Sequence, residues 1–236
     1  MAFAVIPVLD LMEGRVVRAV AGERARYRPL RPGDSVLTEH GEPHEVVRAF
    51  LRLHPFRILY LADLDAILGR GDQTALVSDL ERTFPDVEFW CDAGVRDEAD
   101  LRRRLARRRG PVVVGSETLA DAAWLGRWRE DPRLVLSLDH RGGTRLGPAA
   151  LFAEPDLWPA RVVVMTLAAV GTGGGPEVAR IREIRARAGG RAVYAAGGVR
   201  DRADLLTLRA LGCAGVLVAS CLHRGTVTAA DLAAVA

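Results

Sequence analysis

The stretch Ala93-Gly-Val-Arg-Asp-Glu-Ala-Asp-Leu101 returns 104 residues later as Gly197-Gly-Val-Arg-Asp-Arg-Ala-Asp-Leu205. The same spacing carries Val114-Gly-Ser116 onto Val218-Ala-Ser220, Arg57 onto Arg161, and Gly69 and Gly71 onto Gly173 and Gly175. Nearer the start, Leu9-Asp10 with Gly14 matches Leu138-Asp139 with Gly143 at a spacing of 129. The difference between the two spacings puts 25 extra residues in the loop after the first strand. Self-similarity over half a chain means two copies of one structural unit.

Around these repeats, short β-branched runs alternate with longer amphipathic ones. Strands are expected at 3–9, 57–62, 87–91, 111–114, 133–138, 161–165, 191–195 and 215–218. Helical patterns cover 43–54, 73–83, 97–109, 118–130, 177–188, 201–211 and 227–235, and the connection at 148–159 is short and broken by prolines. Alternating strands and helices argue for βα units on a parallel sheet. Eight units in 236 residues suit a closed (β/α)8 barrel, for which ~250 residues is typical. A doubly wound sheet is the alternative architecture. The strand-by-strand repeat favours an α/β TIM barrel of two half-barrels, about 1–130 and 131–236, in one domain.

Composition limits the chemistry. Hydrophobic residues make up 49% and charged residues 27%, the balance of a folded chain with a sizeable core. All 33 basic residues are arginine, and the chain has no lysine and no asparagine. That excludes Schiff-base lysines, pyridoxal phosphate attachment, a P-loop and N-glycosylation. The pI near 9.1 raises the question of nucleic acid. The densest basic run, Leu101 to Gly110, follows Asp97, Glu98 and Asp100 without interleaved aromatics. Acids at the start and bases at the end are what the helix dipole favours, so this reads as a solvated helix face. No apolar run approaches the ~18 residues of a membrane span, and Met1-Ala-Phe-Ala-Val-Ile-Pro lacks the features of a signal peptide. Cys91, Cys213 and Cys221 are too scattered for a disulfide framework. A cytoplasmic location is the expectation.

In such barrels the strand C-termini carry the active site. The first and fifth strands end in Asp10 and Asp139, repeat mates that face each other across the barrel mouth. One such Asp alone would read as a loop cap; a symmetric pair suits general acid/base catalysis. The third, fourth, seventh and eighth strands end in small residues, which let backbone N–H groups approach an anion. These are Gly94, Gly115 and Ser116 in the first half and Gly197, Gly198, Ala219 and Ser220 in the second. Two matched sets predict a ligand with a phosphate at each end. Thr166, ending the sixth strand, is equally a substrate-bonding hydroxyl or an ordinary strand residue. The glycine segment 171–176 reads as a cover for the ligand. The long first loop, with Arg15, Arg18, Arg24, Arg26, Tyr27 and Arg28, reads as a lid or as a packing insertion. His40 and His44 have metal-ligand spacing, but Pro43 interrupts any helix and no third ligand is near, so no metal is expected. His140 could assist proton transfer or cap its loop; Asp63 and Asp65 could bind substrate or hold theirs.

Val5-Ile-Pro-Val-Leu-Asp-Leu-Met-Glu-Gly-Arg-Val-Val17, Ala62-Asp-Leu-Asp65, Ala93-Gly-Val-Arg96, Val114-Gly-Ser116, Ala196-Gly-Gly-Val199 and Val218-Ala-Ser220 together resemble the HisA/HisF family of histidine biosynthesis over the whole chain. The resemblance implies a twofold-symmetric barrel binding bis-phosphorylated ligands. It also implies, for the HisA branch, an aldose–ketose (Amadori-type) isomerase acting on a phosphoribosyl metabolite. It assigns the acid/base pair to Asp10 and Asp139 and a substrate contact to Thr166; Asp10 as base and Asp139 as acid is one assignment, and the near-symmetry of the pair leaves the reverse open. Two departures stand out. Thr166-Leu-Ala-Ala-Val-Gly171-Thr replaces the usual Thr-Asp-Ile-x-x-Asp-Gly, so an aspartate implicated in proton transfer is missing. Asp92-Ala-Gly-Val-Arg96 replaces Gly-Gly-Gly-Ile-Arg. Gly22-Glu-Arg-Ala-Arg-Tyr-Arg-Pro-Leu30, Ala62-Asp-Leu-Asp-Ala-Ile67, Asp92-Ala-Gly-Val-Arg96 and Gly115-Ser-Glu-Thr-Leu119 are similar to a divergent branch of methanogens and methylotrophs linked with tetrahydromethanopterin-type one-carbon cofactor biosynthesis. That activity and a non-catalytic phosphometabolite-binding barrel are the alternatives. The expected partner is a small phosphorylated substrate, with no cofactor, nucleic acid or membrane; a homo-oligomer is compatible with the sequence.

Overall fold

The computed structural model describes residues 3–235. Eight parallel strands among them close into a barrel: β1 (Ala4–Met12), β2 (Ile58–Asp63), β3 (Glu88–Asp92), β4 (Val112–Gly115), β5 (Leu134–Arg141), β6 (Arg161–Thr166), β7 (Ala192–Ala196) and β8 (Gly215–Val218). Each pairs with the next, and β8 closes on β1 with Ala4 opposite Gly215. Helices between the strands include α1 (Pro43–Leu53), α2 (Leu64–Leu68), α3 (Thr74–Thr83), α4 (Glu98–Arg107), α5 (Ala149–Ala153), α6 (Val178–Arg187) and α7 (Arg202–Ala210), and α8 (Ser220–His223) and α9 (Ala229–Val235) follow the last strand.

The core has two shells because side chains of a strand alternate between faces. One lies between strands and helices and contains the fully buried Phe50, Phe89, Phe152 and Trp158; each such side chain is worth about 1.5–3 kcal/mol. The other fills the barrel with Ile6, Tyr60, Trp90, Val113, Val135, Val163, Tyr194 and Leu217, one from each strand. Trp90 meets its repeat mate Tyr194 edge-on, at 4.9 Å between ring centroids.

The repeat survives in three dimensions. Residues 88–92 of β3 map onto 192–196 of β7 at the spacing of 104, and Asp10 and Asp139 both lie near the C-terminal ends of their strands. Asp97 and Asp201 cap α4 and α7, accepting the N–H of Asp100 and of Asp204. Asp201→Ala should cost about 1 kcal/mol, read as a shift in denaturant midpoint at unchanged slope; an unshifted midpoint would show that the cap is redundant.

Two expectations need correction. Tyr60 and Val163 share the interior face, a spacing of 103, so β2 and β6 are out of step with the repeat by one residue. Arg161 therefore corresponds to Ile58 and not to Arg57, and Thr166 corresponds to Asp63. A slip of one residue turns a strand over, and the need to bury the right face overrides the sequence match. Second, residues 118–130 form no α-helix, only 3-10 turns at Ser116–Thr118 and Leu125–Arg127. Asp121 takes the Ala123 N–H into a local turn, and Gly126 interrupts the stretch, whose Ala122, Trp124 and Leu125 are buried all the same.

Candidate active site

An open cavity occupies the C-terminal mouth of the barrel. Asp10 from β1 and Asp139 from β5 both line it. They differ in how they are held. Asp139 accepts hydrogen bonds from the Ser137 hydroxyl at 2.6 Å, the Ser116 hydroxyl at 3.3 Å and the Glu117 N–H at 3.0 Å. The Asp10 carboxylate has no hydrogen-bond partner among the described residues and faces the cavity. Burial pushes both up to about 7, where each can hold or release a proton near neutrality. The secondary causes differ in sign. The Arg24 guanidinium pulls Asp10 down, whereas the negative charges of Glu117 and Asp92 push Asp139 further up.

Two acids that the repeat does not supply stand beside this pair. Asp92, the last residue of β3, lines the cavity and accepts hydrogen bonds from the Tyr60 hydroxyl at 3.2 Å and the Gly94 N–H at 3.0 Å. Burial raises it to about 6. Glu117 lines the same wall and is ion-paired with Arg24. A side chain at Gly115 would meet the carboxylates of Asp92 and Asp139, both at 3.3 Å. Glycine there leaves room for the two acids to stand side by side. The signal that could have found Asp92 and Glu117 is a break in the repeat: their mates at the 104 spacing are Ala196 and Cys221.

The predicted anion-binding residues separate into two groups. Gly197, Gly198, Ala219 and Ser220 all line the cavity, beside Arg224. Gly94, Gly115 and Ser116 do not; at that end Asp92 and Glu117 line the wall. Gly198 has φ +85°, and a Cβ on it would collide with the carbonyl oxygen of Gly175. Gly198→Ala should therefore displace the glycine segment and weaken binding of a phosphorylated ligand at least tenfold in calorimetry. Unchanged affinity would remove this loop from the site.

Thr166 is buried and lies outside the cavity wall; Met165, Leu167 and Val170 stand there instead. His140 packs on Phe152 with Nδ1 3.0 Å from the Leu138 carbonyl, also away from the cavity. Asp63 caps α2 through the Ala66 N–H, and Asp65 accepts the Glu13 N–H and the Gln73 side-chain amide, so both hold loops. His44 pairs with Asp79. Of the first-loop side chains, Arg24 and Tyr27 reach the cavity, while Arg15 pairs with Glu42 and Arg18 and Arg28 with Asp34. The loop crosses to the segment after β6, where the Ala21 N–H donates to the Val170 carbonyl at 2.7 Å. The two loops together cover one side of the mouth.

The profile of a family described as "Histidine biosynthesis protein" matches residues 4–228. The chain belongs to that family. Among its relatives, a Salinispora tropica protein is 31% identical over 246 residues, covering 98% of this chain and 97% of that one. A Frankia casuarinae protein is 30% identical over 249 residues, covering 100% and 94%. Both are named 1-(5-phosphoribosyl)-5-((5-phosphoribosylamino)methylideneamino) imidazole-4-carboxamide isomerase. An uncharacterized protein of Methanocaldococcus jannaschii is 28% identical over 228 residues, 94% of each chain. These relatives match 94% or more of the chain and not only its motifs.

Proposed function

We propose that this barrel is an aldose–ketose isomerase of the Amadori type, acting on a phosphoribosylamino group as its named relatives do in histidine biosynthesis. The observation that carries this reading is the pair of strand-end aspartates, opposite each other across one cavity and both poised near neutrality. Asp139, kept protonated by burial and by its anionic neighbours, gives a proton to the ribose ring oxygen as the C1–O bond breaks. The nitrogen lone pair forms the C1=N iminium. Asp10, whose anion Arg24 favours, then takes the proton from C2, and the C2–H electron pair neutralises the iminium to give an enolamine. Protonation at C1 and loss of the 2-hydroxyl proton leave the 1-amino-2-keto sugar. The net formula is unchanged, so no electrons are exchanged with a second reactant. The loops after β7 and β8 hold the phosphate of the reacting arm on backbone N–H groups and Arg224. Incubation with the relatives' bis-phosphoribosyl substrate, followed spectroscopically, should show turnover. A folded protein that binds the compound without converting it would instead support a non-catalytic barrel.

The apolar Leu167 and Val170 at the end of β6 favour a second reading of the same site. The chemistry would be that of a divergent branch acting on a different phosphorylated metabolite, such as one in assembly of a one-carbon cofactor. Accumulation of a cofactor precursor in a deletion strain that still makes histidine would select it.

A further inference from the structure

Three repeat-related exchanges around the cavity run in one direction. The first half carries Asp92 and Glu117 where the second has Ala196 and Cys221, and the second carries Arg224 where the first has Ala120. The first-half donors are also already used. The Gly94 N–H is bonded to Asp92, and the Ser116 hydroxyl and the Glu117 N–H are bonded to Asp139. Of the two arginines that line the cavity, Arg24 is tied to Glu117. A phosphate placed at the first-half end would share the cavity wall with the carboxylates of Asp92 and Glu117, with no free N–H from Gly94 or Glu117 to receive it. Like charges so placed disfavour binding in a partly desolvated site. At the opposite end Gly197, Gly198, Ala219 and Ser220 are open to the cavity, with Arg224 beside them.

We infer that the cavity grips a single phosphate, at its β7–β8 end, and that Asp92 and Glu117 make its β3–β4 end a seat for an uncharged, hydrogen-bond-donating part of the substrate such as sugar hydroxyls or an amide. The twofold scaffold is retained while its two ends have diverged in charge. This rests on the isomerase reading for the identity of the reaction, but the count of phosphates is a property of the cavity alone. A bis-phosphorylated substrate is then turned over with nothing gained from its second phosphate.

The test compares two probes: the relatives' bis-phosphoribosyl compound, and the same compound with the phosphate removed from the imidazole-linked ribose. Affinities are measured by calorimetry at pH 8 on the Asp10→Asn variant, which holds ligand without converting it. The monophosphate should bind at least as tightly as the bisphosphate, and Arg224→Ala should weaken both about tenfold or more. Combining Asp92→Ala with Glu117→Gln should shift preference toward the bisphosphate by about tenfold, and circular dichroism establishes that this variant is folded. If that variant does not fold, raising salt on the parent protein should narrow any penalty on the second phosphate. A bisphosphate bound ten times more tightly than the monophosphate, or an Arg224→Ala variant with unchanged affinity, would overturn the proposal. Absence of turnover in wild type with the monophosphate preference intact would remove the isomerase reading and leave the single-phosphate cavity standing.

Discussion

Asp10→Asn and Asp139→Asn should each lower kcat about 100- to 10,000-fold while leaving ligand affinity within a few-fold. That is the usual range for loss of a positioned proton carrier. The asparagine keeps the shape of the side chain, so binding contacts persist and only the proton is lost. In the wild type both acids titrate in the same range, because burial raises each to about 7. The base must be ionised and the acid protonated, so kcat should fall on both sides of neutrality. Each single variant should lose one limb: the acid-side limb in Asp10→Asn if Asp10 is the base, the alkaline limb in Asp139→Asn if Asp139 is the acid. The reverse pattern would exchange the roles. Near-wild-type turnover in either variant would eliminate that residue as a proton carrier.

The same carboxylates should make the protein less stable as pH rises. A folded-state value of about 7 for Asp10 lies above the ~3.9 of an unfolded chain, so between these values the folded state holds the extra proton. Stability from this group is therefore full below about pH 4 and is lost as pH rises to about 7. A gap of that width between folded and unfolded states corresponds to at most about 4 kcal/mol. Water in the open cavity reduces this to roughly 2 kcal/mol. Asp10→Asn removes the charge and no hydrogen bond within the protein. At pH 8 it should raise Tm by about 4–8 °C, since roughly 1 kcal/mol moves a chain of this size by 2–4 °C. At pH 4 the variant and wild type should melt together. Equal melting temperatures at pH 8 would mean that the Asp10 anion is not destabilising. A variant that is inactive and more stable is what a site strained for function predicts.

Much of this was legible in the residue order. The barrel followed from eight βα units together with the 104-residue recurrence of Gly-Val-Arg-Asp-x-Ala-Asp-Leu, because hydrophobic period and repeat spacing are properties of the chain itself. Symmetry marked Asp10 and Asp139, which line the cavity, and two matched sets of small residues, of which the set after β7 and β8 lines it and the set after β3 and β4 does not. Repeat matching erred where burial decides. It paired Arg57 with Arg161, yet the faces of β2 and β6 are aligned one residue apart. Helical patterning pointed to a helix at 118–130, where local turns satisfy the backbone instead.

The sequence by itself determined the closed barrel, its two halves, and which strand ends could carry chemistry. Only the tertiary structure decided which of those ends face the cavity. Asp92 and Glu117 lie 25 residues apart in sequence and both line the cavity at the ends of β3 and β4, while Gly94, Gly115 and Ser116 do not. Thr166 is buried outside the cavity because Val163 and Met165 take the interior face of β6. Spacing along a chain fixes the face of a strand. The direction of a carboxylate, and the charge it meets there, depend on neighbours that only folding brings within reach.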